Sequence, residues 1–245
     1  MNAEAGRMFG IRVLICGAAN GVGEAIARTC VRHDARVCAI DTTSTDVDVR
    51  FNNVAGVSGM AMSMDEPQAE IDAAVAKLGG IDALILCSEL QPKRPIGDAP
   101  TQAEQTRLLL SRVKSYYDAA LPVLQKSPAG RFVTIGMLRS AFSRDGQILR
   151  ENTEHSLATL IRQLAAGSGD LGVTVNFVQP GAIMTPESRA VFKADKSLRD
   201  YCIQHSAAKR LGEALDVARA VLFLASDDAA FVSGTGIYVD GGRAS

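Results

Sequence analysis

A glycine-rich turn between an apolar run and an amphipathic run is the feature that most constrains the fold of this chain. Residues 11–15 read IRVLI, residues 16–23 read CGAANGVG, and an amphipathic segment begins at Glu24. Strands that are buried on both faces of a parallel sheet read as continuous apolar runs. The order therefore predicts a β-strand, a tight turn and an α-helix.

Three glycines in this turn stand where a dinucleotide-binding fold needs them. Gly17 would make the turn out of the strand, Gly21 would let the backbone approach a pyrophosphate, and Gly23 would let the helix pack closely on the sheet. The free N–H groups at the start of the helix would face the phosphates. We count Asn20 and Val22, which lie between these glycines, among the candidate cofactor-binding residues. A structural turn in an α/β domain that binds nothing also explains the pattern.

Asp41 ends the second predicted strand, residues 35–40, about twenty residues beyond the turn. In a dinucleotide fold, a carboxylate at this place accepts hydrogen bonds from the adenine ribose and repels a 2′-phosphate. The position therefore favours NAD over NADP. An aspartate that caps a turn at the end of a strand is the alternative interpretation.

Strand and helix patterns alternate along the rest of the chain. Further strands are predicted at 59–62, 81–87, 131–135, 173–178 and 237–239. Helices are predicted at 67–78, 102–125, 149–166 and 215–225, with a loop at 42–57 and a charged helical insert at 187–205. The alternation predicts one α/β domain over residues 1–245, a Rossmann-type doubly wound parallel sheet of about seven strands with helices on both faces.

Charge and composition exclude several classes of function. The 245 residues include 26 basic and 27 acidic side chains, so the net charge is −1, and no segment is strongly basic. We expect no nucleic-acid partner and no membrane partner. The absence of a signal-peptide pattern and of paired cysteine motifs favours a cytoplasmic protein with buried thiols. The three histidines lie far apart in sequence, so we expect no metal site.

The chain resembles the short-chain dehydrogenase/reductase family over nearly its whole length. Residues 16–23 are similar to the TGxxxGxG turn of that family, with Cys16 in the Thr place. Residues 175–185, VNFVQPGAIMT, resemble its VNxxxPGxxxT segment, and the tail that ends VDGG at 239–242 resembles its C-terminal pattern. The resemblance implies an NAD-binding fold in which Pro180, Gly181, Ile183 and Thr185 belong to the cofactor site. Ile183 and Thr185 would contact the nicotinamide carboxamide.

The catalytic residues of the family are absent at the corresponding positions. The family uses Asn, Ser, Tyr and Lys, and the resemblance places these roles at Leu109, Met137, Arg150 and Glu154. None of the four tyrosines, at 116, 117, 201 and 238, has a lysine four residues later. A methionine offers no donor, and a guanidinium stays protonated near pH 7. The sequence therefore predicts a chain without the catalytic residues of its family.

The adenine side of the site also departs from the family pattern. Ser63, beside Met64, stands where the family has an Asp that contacts adenine, and Glu89 replaces a Gly that leaves room for the cofactor. NAD remains the expected cofactor because of the glycines and Asp41, although a carboxylate at Glu89 would crowd it.

Three functional hypotheses follow from the resemblance. The first is an inactive subunit that assembles with a homologous active subunit, or with copies of itself, in an NAD-dependent dehydrogenase for a hydroxyacyl or hydroxyacyl-CoA substrate. The second is an atypical stand-alone reductase that uses Arg150 as an electrostatic stabiliser, or Tyr201 and His205 as acid and orienter. The third is an NAD-binding regulator without chemistry.

Two predicted helices, 102–125 and 149–166, carry more apolar residues than one sheet face should need. These residues are Leu108, Leu109, Val113, Tyr116, Tyr117 and Ala120 in the first helix, and Leu157, Leu160, Ile161 and Leu164 in the second. Family members pack these two helices against the same pair of a neighbour, and the tail at 231–242 often joins subunits. We therefore expect an oligomer, and specifically a tetramer, with these helices at one interface.

Overall fold

The computed structural model describes residues 6–42, 44–87, 102–136 and 147–242. Its nine strands are β1 (Arg12–Cys16), β2 (Arg36–Asp41), β3 (Val57–Ala61), β4 (Ala83–Cys87), β5 (Gly130–Ile135), β6 (Val173–Pro180), β7 (Ile183–Met184), β8 (Gly212–Glu213) and β9 (Gly236–Val239). Seven of them form one parallel sheet in the order β3-β2-β1-β4-β5-β6-β9, and β7 pairs with β8 in a small separate sheet.

Helices cover both faces of this sheet. They are α1 (Gly21–Arg32), α2 (Ser44–Phe51), α3 (Pro67–Leu78), α4 (Gln102–Leu124), α5 (Gln147–Ala166), α6 (Pro186–Ala194), α7 (Lys196–Gln204) and α8 (Ala214–Ala225). Side chains of α1, α2 and α8 pack in the core of one face, and those of α3, α4 and α5 pack in the core of the other. The predicted doubly wound parallel sheet of seven strands is confirmed.

The strand order places a crevice at the carboxyl ends of β1 and β4. β1 pairs with β2 on one side and with β4 on the other. The chain therefore builds the sheet outward from β1 in one direction through β2 and β3, and in the opposite direction from β4 onward. Open α/β sheets bind ligands at such a point of reversal. The glycine turn that follows β1 lies at this edge.

Two segments differ from the sequence prediction. The 42–57 region, predicted as a loop, contains α2, where the buried side chains of Val47 and Phe51 lie four residues apart and join the core. The charged insert at 187–205 is two helices rather than one. They break at Asp195, whose carboxylate caps α7 by accepting from the Leu198 N–H at 2.8 Å.

The predicted surplus of apolar surface on α4 and α5 is wrong for most of the residues concerned. Leu109, Val113, Tyr116, Tyr117 and Ala120 of α4, and Leu157, Ile161 and Leu164 of α5, are buried in the core of their own chain. They point at the sheet because they recur at three- and four-residue spacing on one helical face. Leu108 is exposed, and Leu110 and Leu160 are half-buried. An interface at these helices stays a prediction. Leu108, Leu110 and Leu160 are the apolar residues that the fold leaves available for it.

Among the helices of the described ranges, none is both long enough and apolar enough to cross a membrane.

Candidate functional site

Gly17 makes the sharp turn that ends β1. Its φ is +80°, and a side-chain Cβ at this position would lie 2.2 Å from the carbonyl oxygen of Cys87. The N–H groups of Gly17 and Ala18 donate to the carbonyl of Ile40 at 2.9 and 3.1 Å. The expectation that a glycine is needed to leave the strand here is confirmed, since any larger residue would collide with β4.

Asn20 gives the turn its shape and caps α1. Its Oδ1 accepts hydrogen bonds from the N–H groups of Val22 at 3.0 Å and Gly23 at 2.7 Å, and its Nδ2 donates to the carbonyl of Gly17 at 2.7 Å. A Cβ on Gly23 would lie 2.5 Å from the Gly17 carbonyl oxygen. The close approach at Gly23 is therefore to the turn itself, where we had expected an approach to the sheet.

Asp41 lies at the carboxyl end of β2, beside the turn. Its Oδ2 accepts a hydrogen bond from the Ala19 N–H at 2.8 Å, and its Oδ1 accepts one from the Thr42 N–H at 2.7 Å. The carboxylate thus has both of the features considered from sequence, a place next to the glycine turn and a capping bond to the residue after the strand.

The first turn of α6 covers the start of α1. The Gly21 N–H donates to Oε2 of Glu187 at 3.3 Å. A Cβ on Gly21 would lie 2.7 Å from Cδ of Pro186 and 2.8 Å from Cβ of Thr185. Gly21 does allow a close approach, as the spacing predicted, but what approaches it in this structure is the chain itself.

An ion-pair chain ties α6 to α1 and α2. The second oxygen of Glu187 lies 3.4 Å from Arg50, and Arg50 also pairs with Glu24 at 2.5 Å. Glu24 in turn pairs with Arg28 at 2.8 Å. Partial burial would raise the pKa of Glu24, but the hydrogen bonds from Arg28 and Arg50 outweigh it, so the pKa lies below its usual value.

The segment after β6 is held by backbone contacts. The Gly181 N–H donates to the carbonyl of Val239 at 2.9 Å, and a Cβ on Gly181 would lie 2.6 Å from Cβ of Asp240. Pro180 is the last residue of β6 and is buried. Close packing on the tail explains why a glycine follows Pro180 at the end of β6.

Ile183 and Thr185, predicted to contact the nicotinamide, are both buried. Ile183 lies in β7, paired with Gly212 of β8. Thr185 is the N-cap of α6: its hydroxyl accepts from the Ser188 N–H at 3.1 Å, and its own N–H donates to the Ser188 hydroxyl at 2.8 Å. The side-chain oxygen of Thr185 therefore already serves the helix it begins.

On the adenine side, Ser63 is exposed and Met64 is buried. The Met64 carbonyl lies 3.4 Å from the hydroxyl of Tyr116, which also donates to Oε2 of Glu70 at 2.5 Å. Glu70 is fully buried, and burial raises its pKa above the usual value. No signal in the sequence pointed to this pair, because glutamate side chains are mostly exposed.

Three of the residues aligned with the catalytic residues of the family lie on α4 and α5. Leu109 is fully buried on α4 in the core of its sheet face, so its side chain lies where water is excluded. Arg150 and Glu154 stand one turn apart on α5, as predicted, and Glu154 is half-buried. Met137, Glu89 and the side chain of Arg150 lie outside the described residues.

The tyrosines at 116, 117 and 201 make contacts within the chain itself. Tyr116 is bonded to Glu70, and Tyr117 donates to the carbonyl of Leu164 at 3.2 Å inside the core. Tyr201 stacks on His205 with ring centroids 3.9 Å apart, and Nδ1 of His205 lies 2.9 Å from the Tyr201 carbonyl oxygen. His205 therefore contacts the ring and the backbone of Tyr201 and does not orient its hydroxyl. Tyr238 is exposed on β9.

The site, as the structure has it, does not fit a bound dinucleotide. The N–H groups of Ala19, Val22 and Gly23 already bond to Asp41 or Asn20, and that of Gly21 bonds to Glu187. Thr185 and Pro186 fill the space in front of Gly21, where a pyrophosphate would approach the helix. Within the described ranges, no group of three or more His, Cys, Asp or Glu side chains is placed to hold a metal ion.

Comparison with known proteins identifies relatives along almost the whole chain. A family model described as enoyl-(acyl carrier protein) reductase matches residues 17–244. The 7alpha-hydroxysteroid dehydrogenase of Escherichia coli is 28% identical, and the match covers 98% of this chain and 97% of that protein. The 3-oxoacyl-(acyl-carrier-protein) reductase FabG of Salmonella typhimurium is 29% identical, with 94% and 95% covered.

The fold has close counterparts among solved structures. The crystal structure of levodione reductase superposes with a TM-score of 0.81 at 24% identity, covering 96% of this chain and 97% of the other. The seven-stranded sheet with helices on both faces is shared with it, and the family model spans most of the chain. This chain belongs to the short-chain dehydrogenase/reductase family, whose members are NAD(P)-dependent oxidoreductases.

Proposed function

We propose that this chain is the non-catalytic subunit of a hetero-oligomeric, NAD-dependent short-chain dehydrogenase in the cytoplasm. In this role it assembles with a homologous active subunit, and substrate is bound and converted only through the complex. Some dehydrogenases of the family pair one competent with one degenerate subunit. The hydroxyacyl-CoA dehydrogenase of the anaerobic benzylsuccinate pathway is an example of this kind.

The observation that carries the proposal is the arrangement of α5. Arg150 and Glu154 lie one turn apart on α5, and the sequence resemblance aligns them with the Tyr and Lys of the family. A guanidinium cannot exchange a proton near pH 7, and a carboxylate cannot lower the pKa of a phenol as an ammonium does. Both buried tyrosines of α4 donate to acceptors inside the core, so they supply no substitute phenol.

Two of the similarities reported above support an acyl substrate class for the complex. One is a 3-oxoacyl-(acyl-carrier-protein) reductase, and the family model is described as an enoyl-(acyl carrier protein) reductase. We therefore propose a hydroxyacyl thioester, such as a hydroxyacyl-CoA, as the substrate of the assembled dehydrogenase.

The surface between α4 and α5 supports a subunit role. A groove of about 760 Å³ runs between the two helices, and it is lined by Arg107, Leu110, His155 and Leu160 among others. At the tail, the side chain of Phe231 is completely exposed beside a second groove of about 550 Å³. An exposed aromatic beside a groove is typical of an interaction site, and we assign both surfaces to subunit contacts.

The decisive experiment uses the chain alone and together with a homologue that carries the intact catalytic residues, which we expect a neighbouring gene to encode. Each is purified and tested with NAD+ and hydroxyacyl-CoA substrates. We expect the complex to turn over and the single chain to stay far below the usual enzymatic range of about 1–10³ per second. Turnover by the single chain would overturn the proposal and favour a stand-alone reductase.

Variants of the complex assign the chemistry to one subunit. Replacing the active subunit's catalytic tyrosine with phenylalanine should abolish turnover of the complex. Arg150→Gln and Glu154→Gln in this chain should leave its turnover within about twofold, because these residues take part in no chemical step. If the paired chains never co-purify, the subunit role is wrong.

A further inference from the structure

The N–H groups of the glycine turn are held by two kinds of partner. Asn20 holds those of Val22 and Gly23 with bonds of 3.0 and 2.7 Å, and these contacts join residues two and three positions apart. Gly21, by contrast, is held by Glu187, 166 residues away in sequence, through a bond of 3.3 Å. The first set forms the turn. The second only covers it.

We propose that Glu187 is a built-in occupant of the pyrophosphate position at the start of α1, and that a dinucleotide binds this chain only when the first turn of α6 moves away. The carboxylate carries negative charge to the helix N-terminus, which is where the family's fold directs the phosphates of its cofactor. Two anions cannot share the Gly21 N–H, so Glu187 and a pyrophosphate compete for it.

Steric contact adds to this competition. Cδ of Pro186 and Cβ of Thr185 lie within 2.8 Å of the place that a Cβ on Gly21 would take. Thr185 and Ser188 cap each other at the start of α6, and the Ser188 hydroxyl also donates to the Ile183 carbonyl at 2.8 Å. Because these bonds join the start of α6 into one unit, its first turn has to move together to admit a ligand.

The contacts that hold Glu187 are of a kind that a ligand can displace. Its side chain is 39% exposed, and both of its polar contacts are long, 3.3 Å to Gly21 and 3.4 Å to Arg50. Arg50 is also held by Glu24, so its guanidinium remains beside the space that Glu187 would leave. A cation is therefore already in place to meet a phosphate there.

This inference stands apart from the proposed subunit role, because it concerns a binding equilibrium of the isolated chain. Isothermal titration calorimetry with NAD+ tests it on the wild type and on Glu187→Gln, which keeps the shape of the side chain and removes its charge. We expect Glu187→Gln to bind NAD+ about tenfold or more tightly than the wild type, since the loss of a charge-assisted competitor has that magnitude.

Two controls make the result specific. Asp170→Asn removes one negative charge from an exposed turn before β6, at the opposite edge of the sheet, and should leave the affinity of the wild type unchanged. Hydrogen exchange of the backbone at 186–194 should rise when NAD+ is added, because α6 has to move, and circular dichroism should show that each variant is folded.

Equal affinity of wild type and Glu187→Gln for NAD+ would overturn the proposal. So would equal tightening by Asp170→Asn, which would indicate a general effect of charge. Failure of every folded variant to bind NAD+ would overturn it too, because the obstacle to binding would then lie elsewhere than at Glu187.

Discussion

The hydroxyl of Tyr116 donates a 2.5 Å hydrogen bond to the carboxyl group of Glu70 in the core between α3 and α4, where both side chains are fully buried. Burial raises the pKa of Glu70, and the bond from Tyr116 partly offsets this by favouring the charged form. The pair also supports the segment after β3, because the same hydroxyl lies 3.4 Å from the Met64 carbonyl. The free energy of unfolding should therefore depend on the ionisation of Glu70.

Tyr116→Phe should destabilise the fold by about 1–3 kcal/mol, because it leaves a buried carboxyl group without its donor. The loss should grow as the pH rises. A buried acid with a raised pKa makes its full contribution to the free energy of unfolding at a pH below its pKa in the unfolded chain, about 4.3. That contribution is lost as the pH rises through the pKa of the acid in the folded protein. Removing Tyr116 raises the folded pKa of Glu70 further, so ionisation of Glu70 costs the variant more than the wild type.

Urea denaturation at several pH values from 5 to 8 measures this effect. Tyr238→Phe is the matched control, since its hydroxyl is on an exposed ring, and it should change stability by no more than about 0.5 kcal/mol. A Tyr116→Phe protein with the stability of the wild type at every pH would show that Glu70 gains nothing from the bond.

Asp82 should make the fold sensitive to acid. Its carboxylate accepts from the backbone N–H and side chain of Arg12 at 2.7–2.8 Å and from the Ser127 hydroxyl at 2.7 Å. Burial alone would raise the pKa of Asp82, but these bonds outweigh it and lower the pKa. Asp82→Asn should therefore cost about 1.5–3 kcal/mol at pH 7, as expected for hydrogen bonds to a charged group.

That difference from the wild type should shrink on acidification. A carboxylate with a lowered pKa contributes stability at a pH above its pKa in the unfolded chain, about 3.9. That contribution is lost as the pH falls through its pKa in the folded protein. Urea denaturation between pH 7 and pH 3 would follow the loss. Asp118→Asn, which removes an exposed pair with Lys114, should cost no more than about 1 kcal/mol. A constant difference across the whole pH range would contradict the role of Asp82.

Leu109 and Leu160 should respond differently to an added charge. Leu109 is fully buried, so Leu109→Glu should prevent folding, because an unpaired charge in a core is not tolerated. Leu160 is half-buried beside the groove between α4 and α5, so Leu160→Asp should leave the fold intact and dissociate the oligomer. Circular dichroism and light scattering separate these outcomes. A wild type that stays monomeric at micromolar concentration, alone and with its homologous partner, would end the proposal of this interface.

Any dinucleotide that binds should be NAD(H) in preference to NADP(H). Asp41 places a carboxylate at the end of β2, beside the Ala19 N–H, where a 2′-phosphate would be repelled. Calorimetry with both cofactors on the wild type, on Glu187→Gln, and on each protein with Asp41→Ala added would measure the preference. Asp41→Ala should reduce the difference between the affinities for NAD(H) and NADP(H). Equal or tighter binding of NADPH by proteins that retain Asp41 would show that the carboxylate does not select.

The sheet and the turn could be predicted because their signals are local. The apolar run of β1, the glycines after it and Asp41 all lie within about thirty residues of sequence, and the structure places them together. The α2 helix was missed because Ser, Thr and Asp, which favour turns and caps, outnumber its two buried apolar residues, Val47 and Phe51.

The contacts that decide the state of the site could not be predicted, since they join distant parts of the chain. Nothing around Glu187 indicates that its carboxylate reaches Gly21. Tyr116 fits an apolar helical face equally well whether its ring meets the sheet or a neighbouring subunit, and only the fold shows that its hydroxyl meets Glu70. The spacing of apolar residues shows which face of a helix is apolar. It does not show which part of the chain, or which other subunit, packs on that face.

The order in which the chain folds follows from the two kinds of contact at the glycine turn. The bonds of Asn20 close loops of two and three residues, so we expect this cap of α1 to form early. The contact between Gly21 and Glu187 requires β6 to have joined the sheet and α6 to have followed it, and long-range contacts of this kind form late. We therefore expect the Gly21 N–H to stay open in a partly folded chain, and Glu187 to cover it in one of the last steps of folding.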